Sequence, residues 1–341
     1  MRSVVYTRTG DPDVLRLVER PEPTPGPGEV LIRVAVSGVN PTDWKTRRGA
    51  APGQPPPFPE QVPNQDGAGT IEAAGDGVDP GRVGERVWLW EAAWQRADGT
   101  AQELLALPEG QAVPLPDDAS FDLGASLGIP AITAHRCLTV GADGPTALGP
   151  GALADRHLLV AGGAGAVGHA AIELAAWAGA TVVTTVSSPA KATLASAAGA
   201  HHVVDYRTEG VAEAIRSVAP DGVDLIVEVA PIANGALDAA VLAPNGTIAI
   251  YASEADPELA VHVRSAMTAN AAYRFVLVYT MPPAAKARAV SDVRAAIAAG
   301  VLRVGQQAGL PLHRFPLERT AEAHAAVEGH AVGKVLIDVA G

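Results

Sequence analysis

Cysteine is almost absent: Cys137 is the only one in 341 residues. That excludes an intramolecular disulfide and any thiolate-rich metal site, and it fits a reducing cytoplasm. Basic side chains are in deficit, 25 against 37 acidic ones, for a formal net charge of −12. Sequence-independent binding to nucleic acid or to an anionic membrane needs a basic footprint, so neither partner is expected. No apolar run reaches the ~18 residues of a membrane span. The opening MRSVVYTRTG has no apolar signal core, so the expectation is a cytoplasmic protein. Aromatics are scarce at 4%, yet 48% of the residues are hydrophobic, which is ample material for a core. The length suits two domains at ~100–200 residues each.

The first third reads as short strands between Gly/Pro turns: Ser3–Tyr6, Leu15–Val18, Val30–Val39, Gly69–Ala74 and Arg86–Trp90. Strands at this spacing point to a small barrel or sandwich. Helical periodicity follows over Phe121–Val140, interrupted by Pro130. From His157 strands and helices alternate, the strands being HLLVA, Thr181–Val186, His202–Asp205, Leu225–Val229 and Gly246–Tyr251. Such alternation means βαβ units and a parallel sheet covered on both faces. Beyond about residue 260 the mixed pattern returns and closes with Lys334–Val339 as a strand.

The turn after the first strand of the alternating region is LLVAGGAGAVG, containing Gly163-x-Gly165-x-x-Gly168. A strand before it, a helix after it and a second strand within ~30 residues make this a dinucleotide fingerprint rather than a chance match. Gly163, Ala164, Gly165, Ala166, Val167 and Gly168 are therefore the expected pyrophosphate contacts, with phosphate charge received by the helix N-terminus. NAD binding places an acid ~20 residues on, at the end of the second strand. Here TVVTTVSSPAK puts Ser187 and Ser188 in that place with Lys191 behind them, and Tyr206 and Arg207 follow the third strand. Hydroxyls and an ammonium suit a 2′-phosphate that a carboxylate would repel, so NADPH is the expected cofactor. The bland alternative for Lys191 is a solvated helix position.

These residues resemble a known family, the zinc-independent quinone oxidoreductases (zeta-crystallin-like) of the medium-chain dehydrogenase/reductase superfamily. The resemblance runs through SGVNPTDWKTRRG at 37–49, QDGAGTIEAAGDGV at 65–78, GERVW at 84–88 and LGIPAITAHRCL at 127–138. It continues in the glycine loop, in GAHHVVDYR at 199–207 and in VGKVLIDV at 332–339. It implies an α/β fold: a GroES-like, β-barrel-containing catalytic domain with a Rossmann cofactor domain, a doubly wound parallel sheet, inserted into it. The boundaries expected are 1–125 with 262–341 for the first, and 126–261 for the second. It further implies a homodimer, with TIAIYAS at 247–253 an apolar strand that needs covering if it lies at a sheet edge.

Relatives of this kind reduce quinones, or the C=C bond of enones and enoyl thioesters, with NADPH. The implied reaction is hydride transfer without a metal, the protein stabilising negative charge that develops on the substrate oxygen. With one cysteine, and no helical His-x-x-x-His pair among nine histidines, no zinc ligand set is present in the sequence. The resemblance places Asn40 at the floor of the cleft and Thr133 near the cofactor amide; a turn-former and an ordinary helix residue are the alternatives. Lys45 stands where many quinone reductases have a tyrosine, which shifts weight toward activated alkenes; its alternative is a solvent-facing position beside a buried Trp44. Thr100 also replaces a family tyrosine, and Trp88, Trp90 and Trp94 line an aromatic-accepting cleft or form barrel core. Two other functions remain open. One is a reductase dedicated to a single biosynthetic enoyl or enone intermediate, and the other is a non-catalytic NADPH-binding sensor or structural protein.

Overall fold

The computed structural model describes residues 1–208, 210–253 and 258–340. The chain forms two compact units, Met1–Ile129 with Leu312–Gly341, and Pro130–Pro311. In the first stretch β1 (Arg2–Val5), β2 (Arg16–Glu19) and the long β3 (Glu29–Val39) lead to helix α1 (Pro41–Arg48). Four strands follow, β4 (Asp66–Ala74), β5 (Arg86–Leu89), β6 (Leu104–Pro108) and β7 (Ala112–Pro114), and then a single turn, α2 (Phe121–Gly124). The helical stretch expected over Phe121–Val140 is thus two helices, since α3 spans Gly128–Leu138. The break falls before Pro130 rather than at it. Pro130 sits in the first turn of α3, where a missing N–H costs no helical hydrogen bond.

The middle of the chain alternates as the sequence pattern requires: β8 (His157–Ala161), α4 (Ala166–Trp177), β9 (Thr181–Val186), α5 (Pro189–Ala197) and β10 (His202–Asp205). Then come α6 (Val211–Val218), β11 (Val223–Glu228), α7 (Pro231–Val241), β12 (Leu242–Ile250), α8 (Val263–Ala269), β13 (Ala272–Phe275) and α9 (Pro283–Ala298). The chain closes with β14 (Leu312–Pro316), α10 (Thr320–Glu328) and β15 (Lys334–Asp338).

In the first unit, β3 pairs with β4 along one side. Its other side is shared between β6 at Glu29–Arg33 and the C-terminal β15 at Val36–Val39. The last strand of the chain thereby completes a sheet begun by the first third, which is why this unit needs both ends. Its core gathers Val30, Ile32, Val34, Ile71, Leu105, Leu107, Val335 and Ile337, all nearly inaccessible.

In the second unit all strands are parallel, in the order β10-β9-β8-β11-β12-β13. Counted within the unit this is 3-2-1-4-5-6, the doubly wound order whose ligand crevice opens where the order reverses, between β8 and β11. Two expectations need correction here. The unit extends to residue 311 rather than 261, because β13 adds to the sheet in register with β12 from Thr247↔Ala272 to Ile250↔Phe275. Helix α9 is tied to the same unit: Asp292 accepts from His135 at 2.8 Å and from the Leu148 N–H at 2.7 Å. The strand holding 247–250 is therefore interior, and the edge is β13, where Phe275 is 73% exposed.

Candidate cofactor and active site

The glycine loop follows β8 at the point where the strand order reverses. Its left-handed residue is Gly162, at φ +71°, one place before the glycine to which the sequence assigns the turn. Gly163 is needed for space instead: a Cβ there would lie 2.2 Å from the Thr184 Oγ1. At Gly168 a Cβ would lie 2.4 Å from the Gly162 carbonyl oxygen, so the third glycine lets helix and loop close together. Around Gly165 only the Gly162 oxygen comes within contact distance, at 3.4 Å, leaving room for a ligand to approach the backbone. Gly165 is also the N-cap of α4 and offers no side-chain cap to the first-turn N–H groups. Unsatisfied N–H groups and a helix dipole at an open loop fit a pyrophosphate.

At the end of β9 the structure brings Ser187, Ser188 and Lys191 together. Ser188 caps α5 by accepting from the Lys191 N–H, and the Lys191 Nζ donates to the Ser187 hydroxyl at 2.9 Å. Tyr206 is drawn to the same rim because its N–H donates to the Val186 carbonyl at 3.0 Å. Its ring is half exposed. Arg207 differs. Its backbone and guanidinium donate to Asp205 at 3.0–3.4 Å, and this contact holds the Asp205 carboxyl below the usual carboxylate range. Arg207 is therefore paired with an acid, whereas the Lys191 ammonium donates to a neutral hydroxyl.

The residues proposed from the VNP segment separate on α1. Asn40 is the N-cap, 2% exposed, and its amide is held from both sides. The Nδ2 donates to Asp66 at 2.6 Å, and the Oδ1 accepts from the Lys334 ammonium at 2.7 Å. The Asp66 carboxylate also accepts from Lys334 at 3.3 Å and from the Ile129 N–H at 2.8 Å, which caps the start of α3. Gly128 is fixed by that approach, since a Cβ would lie 2.2 Å from the Asp66 Oδ1. Asp43 receives the Asn40 N–H at 2.7 Å; burial, then neighbouring Asp66, pushes its carboxyl up to about 8. Burial raises Asp66 too, against the opposing pull of Lys334 and Asn40. Lys45, five residues beyond the N-cap, is exposed, with its Nζ 5.8 Å from the Trp44 ring centre.

Sequence reasoning missed Asp66, Asp43 and Lys334 as a working set. The available signal was a charge opening an otherwise apolar strand, in QDGAGTI and GKVLIDV. Thr133 lies buried on α3. Thr100 is buried, bonded to Ser37 at 2.7 Å and to the Asp66 carbonyl at 2.6 Å, which leaves it no part in an open aromatic cleft. Trp88 is fully buried core, while Trp94 is 36% exposed. Cys137 is buried, and burial pushes its thiol far up. Among the described residues no group of three or more His, Cys, Asp or Glu side chains is placed to hold a metal. Among them, too, no helix is long and apolar enough to cross a membrane.

A 3-2-1-4-5-6 parallel sheet with a glycine loop after its first strand, and a mostly antiparallel unit built from both ends of the chain, define a medium-chain dehydrogenase/reductase. Residues 26–117 match the alcohol dehydrogenase GroES-like domain, and residues 166–294 match the family described as zinc-binding dehydrogenase. Mouse quinone oxidoreductase is 30% identical over 98% of this chain and 96% of its own length. The guanaco quinone oxidoreductase is 29% identical over 99% of the chain and 97% of its own. A mycobacterial protein solved in complex with NADPH superposes with a TM-score of 0.81 at 28% identity, covering 99% of both chains. The chain belongs to the quinone oxidoreductase group of the medium-chain dehydrogenase/reductase superfamily, and it is an oxidoreductase.

Proposed function

We propose that the chain uses NADPH to reduce quinones or the activated C=C bond of α,β-unsaturated carbonyl compounds, without a metal. The observation that carries this reading is the Lys191–Ser187 pair at the end of β9, where NAD-binding sheets place a carboxylate. The mycobacterial relative's complex with NADPH supports the same cofactor.

NADPH, when bound, supplies a hydride. The chain's share is positional and electrostatic. The open N-terminus of α4 takes the pyrophosphate, and Ser187, Ser188, Lys191 and Tyr206 take the 2′-phosphate. Arg207 contributes less, because Asp205 already holds it. Asn40, clamped between Lys334 and Asp66, fixes the start of α1, which carries Lys45. Thr133 is assigned to the carboxamide end of the cofactor.

Lys45 is assigned to the oxygen on which negative charge develops, where an ammonium binds the transition state more tightly than the ground state. Its exposure lets water screen that charge, so the effect falls short of the ~10²–10³-fold seen for donors in closed oxyanion sites. Lys45→Met is expected to lower kcat by about tenfold with NADPH affinity unchanged. Stopped turnover assays that show less than a twofold change remove Lys45 from the mechanism.

Dialysis against a strong chelator is expected to leave turnover unchanged, since Cys137 is buried with a raised thiol pKa and is the chain's only cysteine. Stoichiometric zinc with chelator-sensitive activity contradicts the metal-free reading. The reducing chemistry suits a cytoplasmic setting.

A homodimer is proposed as well, now through β13 rather than through 247–253. Phe275 at 73% exposure and Leu277 at 54% stand at a parallel edge that no strand pairs among the described residues, a surface that soluble proteins cover or blunt. Light scattering at micromolar concentration should give twice the chain mass, and Phe275→Asp should halve it. A wild-type monomer refutes the assignment.

A further inference from the structure

The parallel-sheet unit holds a second concavity whose lining shares no residue with the glycine loop or the end of β9. It measures about 410 Å³ and lies among α7, α8, β12 and β13. Leu242, Ile248, Ile250 and Leu259 make it largely aliphatic. That volume falls in the range of small-molecule sites, which pair apolar walls with a few polar groups.

The polar group is unusual. Asp238 lines the cavity at 2% exposure, and its Oδ1 has no hydrogen-bond partner. Behind it Glu228 is fully buried, accepting from the Ala230 N–H and, at 3.0 and 3.1 Å, from the Asn234 amide. The Asp238 and Glu228 carboxyls lie close enough to act on one another electrostatically. Burial first, and the Glu228 charge second, push the Asp238 carboxyl up to about 8. Two buried carboxyls therefore hold one proton between them, the donors that face them among the described residues being neutral. Among the described residues the remaining titratable groups around the cavity are the Tyr273 phenol on β13 and His262 at the head of α8. The His262 Nδ1 accepts from the Ser265 hydroxyl or donates to it at 2.9 Å. Among the described residues no lysine or arginine lines the cavity.

Such a pair lacks a cation, and the walls suit hydrocarbon. We propose that this cavity binds a small organic ammonium ion, a primary amine on an apolar body of about one ring, with the ammonium seated on Asp238, and Glu228 behind it adding negative charge. A neutral molecule of the same shape would find one acceptor, and an anion would be repelled. Seating the ammonium displaces the shared proton, because the cation makes the doubly ionised pair favourable. The site goes beyond hydride transfer and is independent of it.

The test titrates phenylethylamine, phenylethanol and phenylpropionate into the full chain by calorimetry, with and without saturating NADPH. One amine per chain is expected, bound about tenfold more tightly than the alcohol, with the carboxylate not bound. Amine binding at neutral pH should release a proton, read from the heat in two buffers of different ionisation enthalpy. Asp238→Asn keeps a donor toward Glu228 and the side-chain shape. It should bring the amine down to the alcohol's affinity and abolish the proton release. Ala239→Phe, at the exposed rim of α7, should block both ligands while NADPH turnover stays at the wild-type rate. Several results overturn the proposal: equal affinity for amine and alcohol, an unchanged amine affinity in Asp238→Asn, or no binding by protein with a wild-type melting profile. A competition with NADPH places the amine in the cofactor site instead. An affinity that weakens as protein concentration rises means that a second copy covers the cavity, and it equally overturns the ligand assignment.

Discussion

Lys334→Met is expected to destabilise the unit built from both chain ends by ~3–5 kcal/mol, the cost of leaving one buried charge without its partner. Both members of the pair are inaccessible, Lys334 at 1% side-chain exposure and Asp66 at 0%. The substitution removes the ammonium from Asp66 and from the Asn40 Oδ1 together. It touches four elements, because Asp66 opens β4 and caps α3, Asn40 caps α1, and Lys334 opens β15. Denaturant unfolding followed by tryptophan fluorescence reports this unit well, since Trp44, Trp88, Trp90 and Trp94 all lie in it. Adding Asp66→Asn removes the stranded charge, so the double variant should be more stable than the sum of the single effects. A Lys334→Met unfolding midpoint equal to wild type means that the pair is not buried as described.

Lys191→Ala should raise the Michaelis constant for NADPH by about one to two decades, from ~1.5–3 kcal/mol for a charge-assisted contact to phosphate. The constant for NADH should change little, because the 2′-hydroxyl offers nothing for an ammonium to pair with. Arg207→Ala should cost less than Lys191→Ala, since its guanidinium is already spent on Asp205. If Arg207→Ala proves the more damaging, the ion pair opens when cofactor binds and the order assigned here is wrong.

The order of the alternating region was legible, and its first strands to the residue, while β11 and β12 begin at Val223 and Leu242, ahead of the expected Leu225 and Gly246. Thr181–Val186 and His202–Asp205 stand where periodicity places them, because a buried parallel strand and its covering helix differ sharply in hydrophobic period. The return to the first unit was not legible. Four residues, AYRF, carry too little apolar pattern to mark β13 as a sixth strand. Its membership depends on pairing with β12, a non-local interaction. The cofactor side of the site was readable because its chemistry is local: a glycine loop, and two serines and a lysine within one turn of α5. The buried cluster was not readable, since Asp66 and Lys334 meet across 268 residues of chain. The Arg207–Asp205 contact was local, and reading the two residues as a pair would have found it.

Reduction by NADPH is tested by following cofactor oxidation by the purified protein across a panel of quinones and α,β-unsaturated ketones. NADPH should be consumed one-for-one with at least one acceptor, at a kcat/KM about one to two decades above that with NADH. NADPH binding without oxidation across the panel, or equal use of the two cofactors, would contradict it.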